Sequence, residues 1–330
     1  MANPKQKNTV TFMKCPLCKE TSTVKLLFKA FTNVEYGHAY CIRCGVSFDT
    51  NVNEMINVFS KVDASKVINL QEDEYRKYFI ETSDITDGST NIYTSFNWNS
   101  QDELKTGVVQ PVIKEINKQY QNLDQFSVLD IGCGDGFTTD LLSNYYPKAN
   151  FLAVDPSPQI KKLNGNRKIR ACQGVIQHID FSLEKFDVII IIGNLMLHTD
   201  PLDTLERAKE LLTDTGILIF DFKNINSASR IIARKITMAG IYSLNNHSYL
   251  QRNFLNMRYG LSKEFMLNFC NKTNLTVQKV YSKPPRLLAY GNQSKYTAGV
   301  FNVVWRILNF IDSIRDEMAW VQFTCKRKNF

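Results

Sequence analysis

The chain has 330 residues, 44% of them hydrophobic and 22% charged, a balance ordinary for a soluble globular protein with one large domain and a small extra module. The net charge of +8 is modest and spread out, so it suits an anionic partner such as RNA, a nucleotide-sugar or a lipid surface, and equally suits general solubility. The opening residues lack the apolar run of a signal peptide, and the longest apolar stretch, Val188 to Ile192, is far below the roughly 20 residues a membrane span needs.

Two C-x-x-C pairs come first, Cys15-Pro-Leu-Cys18 and Cys41-Ile-Arg-Cys44. Four thiolates at that spacing predict a closed, tetrahedral, structural Zn²⁺ site on a small N-terminal knuckle module, residues 1–50. Iron binding and free thiols are the alternatives. Paired cysteines of this kind point to a reducing compartment, and the expected location is the cytoplasm. Cys133, Cys172, Cys270 and Cys325 sit in apolar or strand contexts and are expected to be buried.

A linker and helical lid region, 51–125, follows. It holds the aromatic-acidic stretch EDEYRKYF (72–79), where Tyr75 and Tyr78 are lid candidates, and a polar loop over 82–100. Leu104, Val108, Val112 and Ile116 recur every fourth residue and predict a helix from Ser100 to Tyr120. Pro111 inside it predicts a kink.

From 126 the pattern alternates between strand and helix. FSVLDIG, NFLAVDP, RKIRACQG, FDVIIIIG and ILIFDF read as strands. FTTDLLSNYY and PLDTLERAKELL read as helices, the second with proline in its first turn. Such alternation predicts an α/β, doubly wound, mostly parallel sheet. Beyond 223 the pattern loosens into a helix from Ser262, a strand LTVQKVYS, an amphipathic helix near 299–314 and a last strand MAWVQFTCK. The amphipathic helix is expected to pack on its own core, with peripheral membrane contact as the alternative.

VLDIGCGDG (128–136) ends the first strand and opens a helix. Its glycines let backbone approach a ligand, and the helix start offers free N–H groups to a carboxylate or phosphate. The dinucleotide fingerprint G-x-G-x-x-G/A fails, because Phe137 occupies its third small position. The pattern is instead an acid, Asp130, followed by spaced glycines. That order suits a cofactor with an amino-acid end, whose carboxyl meets backbone N–H groups and whose ammonium meets an acid. Asp155, ending the second strand, is placed to accept from a ribose diol.

Residues 126–222 resemble a class I S-adenosylmethionine (SAM)-dependent methyltransferase, over the glycine loop, the acid, and FDVIIIIGNLMLHTDPLDTLERAKELLTDTGILIFD. The resemblance implies a Rossmann-like, seven-stranded sheet with an antiparallel last strand, in a domain spanning 126–330. It implies that Asp130, Gly132, Cys133 and Gly134 meet the methionine part, and Asp155 and Pro156 the ribose side. Gly174 and Val175 would lie along the adenine, and Asn194 and Leu195 would border the methyl donor. The adenine end lacks the acid the family often carries near Val175, so backbone or Gln173 must substitute. The turn at Asp214-Thr215-Gly216 keeps a single glycine of the family's glycine-rich turn. His198, after the fourth strand, and His247, in LNNHSYLQRNF, are the candidate general bases.

A cysteine module before such a domain resembles a bacterial group of methyltransferases of surface-glycan and deoxysugar biosynthesis, through CPLC, Tyr40-Cys41-Ile42-Arg43-Cys44-Gly45, EYRKYF, His247 and the ending RDEMAWVQFTCKR. That implies a small-molecule, nucleotide-sugar or glycan acceptor. It also resembles the zinc-bearing ribosomal RNA guanine methyltransferases, which would imply an RNA base. A SAM-binding assembly protein without catalysis is the third reading.

Overall fold

The computed structural model describes residues 10–31, 35–49, 109–120, 125–165, 168–238, 258–283 and 306–328. They divide into two compact units, one drawn from 54–221, 269–280 and 322–330, the other from 1–53, 222–268 and 281–321.

The first unit is built on a seven-stranded sheet. In chain order its strands are β5 (Ser127–Ile131), β6 (Asn150–Asp155), β7 (Ile169–Gln173), β8 (Phe186–Ile191), β9 (Leu212–Lys223), β11 (Leu275–Lys283) and β12 (Trp320–Arg327). Across the sheet they run β11-β12-β9-β8-β5-β6-β7. It is the expected Rossmann-like sheet, mostly parallel with an antiparallel last strand. Side chains on both faces of the central strands are buried. Val128, Val188, Ile190, Ile217 and Ile219 belong to one core cluster, and Leu129, Ile189, Ile191 and Leu218 alternate with them, also buried. Burial on both faces explains why these strands read as unbroken apolar runs.

Helix α1 (Gln110–Tyr120) sets Val112, Ile113, Ile116 and Tyr120 into that cluster, together with Leu142 of α2 (Phe137–Tyr145). Pro111 is the second residue of this helix, and Val109 before it is in a π-helical turn; residues 100–108 of the expected helix, on which the expected kink at Pro111 depends, lie outside the described residues. Tyr120 stacks on Phe126 at 5.3 Å and donates its hydroxyl to the carbonyl of Asp187 at 2.9 Å. The Asp187 carboxylate in turn accepts from Ser127 N and Oγ and from Thr213 Oγ1, joining β5, β8 and β9 at their starts. The turn expected at 214–216 is instead a bulge within β9, between the pairs Phe186–Leu212 and Val188–Ile217.

Helix α3 (Pro201–Leu211) opens as the sequence predicts, with Pro201 in its first turn and Asp200 as N-cap accepting from Leu202 N and Asp203 N. In the strand order, β5 has β6 on one side and β8 on the other. The direction of winding reverses there, and the carboxyl ends of these strands frame a crevice.

The second unit contains an antiparallel sheet in the order β1-β2-β3-β4-β10. Its strands are β1 (Val10–Lys14), β2 (Thr21–Phe31), β3 (Glu35–Cys41), β4 (Ser47–Asp49) and β10 (Tyr259–Gly260). The last comes from far along the chain and sets Tyr259 opposite Phe48, both fully buried. Helix α4 (Ala228–Met238) is capped from a distance, by the Asp312 carboxylate accepting from Ala228 N at 2.5 Å. Helix α5 (Lys263–Lys272) is capped locally, by Ser262 Oγ accepting from Phe265 N.

Tyr120→Phe removes one hydroxyl that bonds a buried strand start. Urea unfolding should show a loss of about 1 kcal/mol with an unchanged m-value; a loss near zero would mean the phenol bond does not fasten α1.

Candidate active site and metal centre

The glycine loop leaves the end of β5. Gly132, Gly134 and Gly136 all have positive φ. A Cβ on Gly132 would lie 2.6 Å from the Asn194 carboxamide, so this glycine is required by close packing as well as by its φ of 74°. Gly134 differs: at φ 61° it faces nothing within 4 Å among the described residues, which leaves bare backbone for a ligand to approach. Loop N–H groups of Gly132 and Cys133 bond to Val154 O, fastening the loop across to β6.

Two carboxylates lie under this loop. Asp130 is almost fully buried and accepts from Thr139 Oγ1 of α2 at 2.6 Å. Burial pushes its pKa up to about 7; the Thr139 bond opposes this and the charge of Asp155 adds to it. Asp155 accepts from Ser157 N at 2.7 Å on one oxygen and from Gly134 N at 2.8 Å on the other. Burial raises it to about 6, against the pull of those two N–H groups. Each oxygen keeps a second lone pair, so the carboxylate can still accept from a diol. Pro156 follows, and its carbonyl accepts from the Gln173 amide at 3.2 Å. Gly174 N donates to Asp155 O, bringing the end of β7 beside the end of β6. Val175 then precedes a short 3-10 turn, Ile176–His178.

The loop after β8 is held differently. Gly193 N donates to the buried Asp221 carboxylate at 2.6 Å. Asn194 Nδ2 donates toward Gly132 O (2.7 Å), Ile131 O (3.1 Å) and Ile192 O (3.2 Å). His198, half-buried, has Nε2 2.8 Å from Asn194 Oδ1 and Nδ1 3.0 Å from Thr204 Oγ1. Leu195 is fully buried. Cys133 is partly buried and packs against the core cluster, with its thiol pushed well above the usual range by burial and by Asp130 and Asp155. Thus Asp130, Gly132, Gly134, Asp155 and Asn194 converge around one loop, with Pro156, Gly174 and Val175 at the neighbouring ends of β6 and β7. Tyr75 and His247 lie outside the described residues. Thr139, Asp221, Gln177 and Thr204 went unnoticed in the sequence. An acid ending the apolar strand ILIFD was a signal for Asp221; a threonine in the first turn of a helix carries none.

In the other unit, all four Sγ atoms of Cys15, Cys18, Cys41 and Cys44 lie within 4.8 Å of one another. Cys15–Cys44 and Cys18–Cys41 are 3.7 and 3.9 Å apart. A tetrahedron of thiolates about 2.3 Å from a central Zn²⁺ has edges of about 3.8 Å, so the donor set fits. The two knuckles share one backbone pattern. Cys15 N and Cys41 N donate to Glu20 O and Val46 O; Lys19 N and Gly45 N donate back to Cys15 O and Cys41 O. Lys19 and Gly45 both take positive φ, 60° and 69°, at matching positions. The thiol contact with Cys44 lowers the Cys15 pKa to about 5 and holds Cys44 high.

The two raised carboxylates make the stability of the protein depend on pH. Both bind protons in the fold that the unfolded chain has released, so they stabilise the fold fully below about pH 4, and that stability is lost as pH rises through about 6 and 7. Without added ligand, wild type should therefore gain stability relative to Asp130→Asn as pH falls from about 8 to about 5. Parallel urea midpoints for the two proteins over that range would remove this account.

Residues 129–218 match the family described as a methyltransferase domain. A tRNA U34 carboxymethyltransferase of Campylobacter jejuni is 26% identical over 208 residues, covering 61% of this chain and 65% of that protein. A malonyl-[acyl-carrier protein] O-methyltransferase of Anoxybacillus flavithermus is 32% identical over 98 residues, covering 28% and 38%. The chain therefore spans less than two thirds of the length of either relative. Among solved structures, the plantazolicin methyltransferase BpumL in complex with SAH superposes with a TM-score of 0.50 at 14% identity, over 84% of this chain and 98% of that one. At that identity the likeness is one of fold. The loop, the two carboxylates and Asn194 all lie within the residues that match the methyltransferase-domain family.

Proposed function

We propose that the chain is a SAM-dependent methyltransferase with a structural Zn²⁺ held by Cys15, Cys18, Cys41 and Cys44. The observation that carries the first part is the cradle itself. Gly134 offers bare backbone over two buried carboxylates, at the reversal point of a parallel sheet. Asp130 and Asp155 suit the ammonium and the ribose of SAM, and the start of α2 suits its carboxylate. SAM, when bound, supplies an electrophilic methyl group on a sulfonium sulfur. The chain's own part is to hold the cofactor and acceptor in line, exclude water and, for a protonated acceptor, receive its proton.

The acceptor we favour is a sugar, nucleotide-sugar or glycan, on the strength of the cysteine module and its Tyr40-Cys41-Ile42-Arg43-Cys44-Gly45 motif. The second reading is RNA. It is supported by the tRNA-modifying enzyme of Campylobacter jejuni and by the net charge of +8. The four thiols support zinc through their tetrahedral spacing, a closed set that leaves no site for a catalytic water.

Incubation with SAM labelled in its methyl group, against one pool of nucleotide-sugars and glycans and one of total RNA, tests the acceptor. Label in the first pool is expected; label in RNA alone would transfer the assignment to the second reading. Gly134→Ala should stay folded, with a backbone cost of about 1–2 kcal/mol from its positive φ, and should bind SAM at least tenfold more weakly, since its Cβ enters the cradle. Undiminished binding by calorimetry would refute that placement.

Elemental analysis of the purified protein should find roughly one Zn²⁺ per chain. Cys41→Ser should lose the metal and lower the melting temperature. Iron in place of zinc, or an unchanged melting temperature on chelation, would overturn the structural-zinc reading.

A further inference from the structure

His198 stands where a general base would be sought, yet its partners restrict what it can do. Asn194 Nδ2 faces three backbone carbonyls, at 2.7, 3.1 and 3.2 Å, which assigns the orientation of the amide. Its Oδ1 is therefore turned to His198 Nε2 at 2.8 Å. A carboxamide oxygen only accepts, so Nε2 carries a proton. On the other side, Thr204 Oγ1 lies 3.0 Å from His198 Nδ1, 3.0 Å from Asp200 O and 3.0 Å from the Gln177 amide nitrogen. The hydroxyl has one proton to give. If it goes to Nδ1, the ring is neutral; if it goes to Asp200 O, Nδ1 donates to the hydroxyl and the ring is charged. Nε2 keeps its proton in both states.

The carboxamide that His198 holds is the group that fills the missing Cβ position of Gly132, 2.6 Å away. It also joins the end of β5 to the end of β8 through Ile131 O and Ile192 O. A chain of hydrogen bonds thus runs from Gln177, past the end of β7, through Thr204, His198 and Asn194 to the glycine loop.

We propose that His198 is a positioning residue whose Nε2–H fixes the Asn194 carboxamide, and through it the glycine loop, in the conformation that receives the cofactor. This rests on the SAM reading of the loop. It assigns the histidine to cofactor binding and leaves proton removal from an acceptor to another group.

Three variants separate the two ring nitrogens. Glutamine places an amide N–H near the position of Nε2, asparagine near that of Nδ1, and alanine supplies neither. Two quantities are measured: the dissociation constant of S-adenosylhomocysteine by calorimetry, and the ligand-free amide exchange rate of a peptide covering 128–136. His198→Ala should weaken binding about three- to tenfold, the worth of one net hydrogen bond, and should speed exchange of the loop. His198→Gln should restore both; His198→Asn should restore neither. Adding His198→Ala to Asn194→Ala should cost nothing further. Wild-type affinity and exchange in His198→Ala would overturn the proposal, as would equal rescue by glutamine and asparagine. If His198→Ala does not fold, the glutamine–asparagine difference still decides. Failure of the wild type to bind S-adenosylhomocysteine would remove the SAM reading, while the exchange rates still report on the clamp.

Discussion

Two carboxylates, Asp130 and Asp155, end neighbouring parallel strands in nearly dry surroundings, and much of the site is arranged around that burial. Neither is easily ionised there; their pKa values rise to about 7 and about 6. Burying such groups is tolerable only when they are hydrogen-bonded, and the partners come from the loop and helix that follow each strand. Thr139 of α2 bonds Asp130, and Gly134 and Ser157 bond Asp155. The glycine loop is thus shaped partly by the acid it stands over. A cation brought beside these carboxylates would lower both pKa values, so binding a positively charged ligand opposes the burial penalty. The raised pKa values and the attraction such a pair of carboxylates exerts on a cation both follow from their burial.

The glycines in that loop do different work. Gly132 is small because the Asn194 amide occupies its side-chain space. Gly134 is small because its left-handed φ disfavours a side chain and its open face is where a ligand can come close. The first requirement is internal to the protein and the second is external. They meet because Asn194, on the loop after β8, reaches across to β5, its neighbour in the sheet.

The cysteine centre follows a separate logic in the other unit. Two knuckles with the same backbone bonds and the same positive-φ residue after the second cysteine bring four thiols to tetrahedral spacing. A sheet of three hairpin-linked strands carries them, extended by a short strand and completed by β10 from 259–260. Small cores need such fastenings, because the apolar surface they bury is limited.

The doubly wound sheet was legible because strands covered on both faces must be apolar throughout, while the helices between them need caps and prolines at set places. The glycine loop, Asp130, Asp155 and the four cysteines were legible for the same reason: each depends on local spacing, which the chain carries in one dimension. Tertiary structure alone decided the rest. The stretch 214–216 became a bulge rather than a turn, because the neighbouring strand β8 sets where the pairing of β9 resumes. Asp312 caps a helix more than eighty residues away, and β10 completes a sheet begun two hundred residues earlier, by contacts that leave no periodic trace. The partners of His198 belong to the same class. The residue type suggested a base, but the direction of its hydrogen bonds depends on Asn194 and Thr204, which only the fold brings to its two nitrogens.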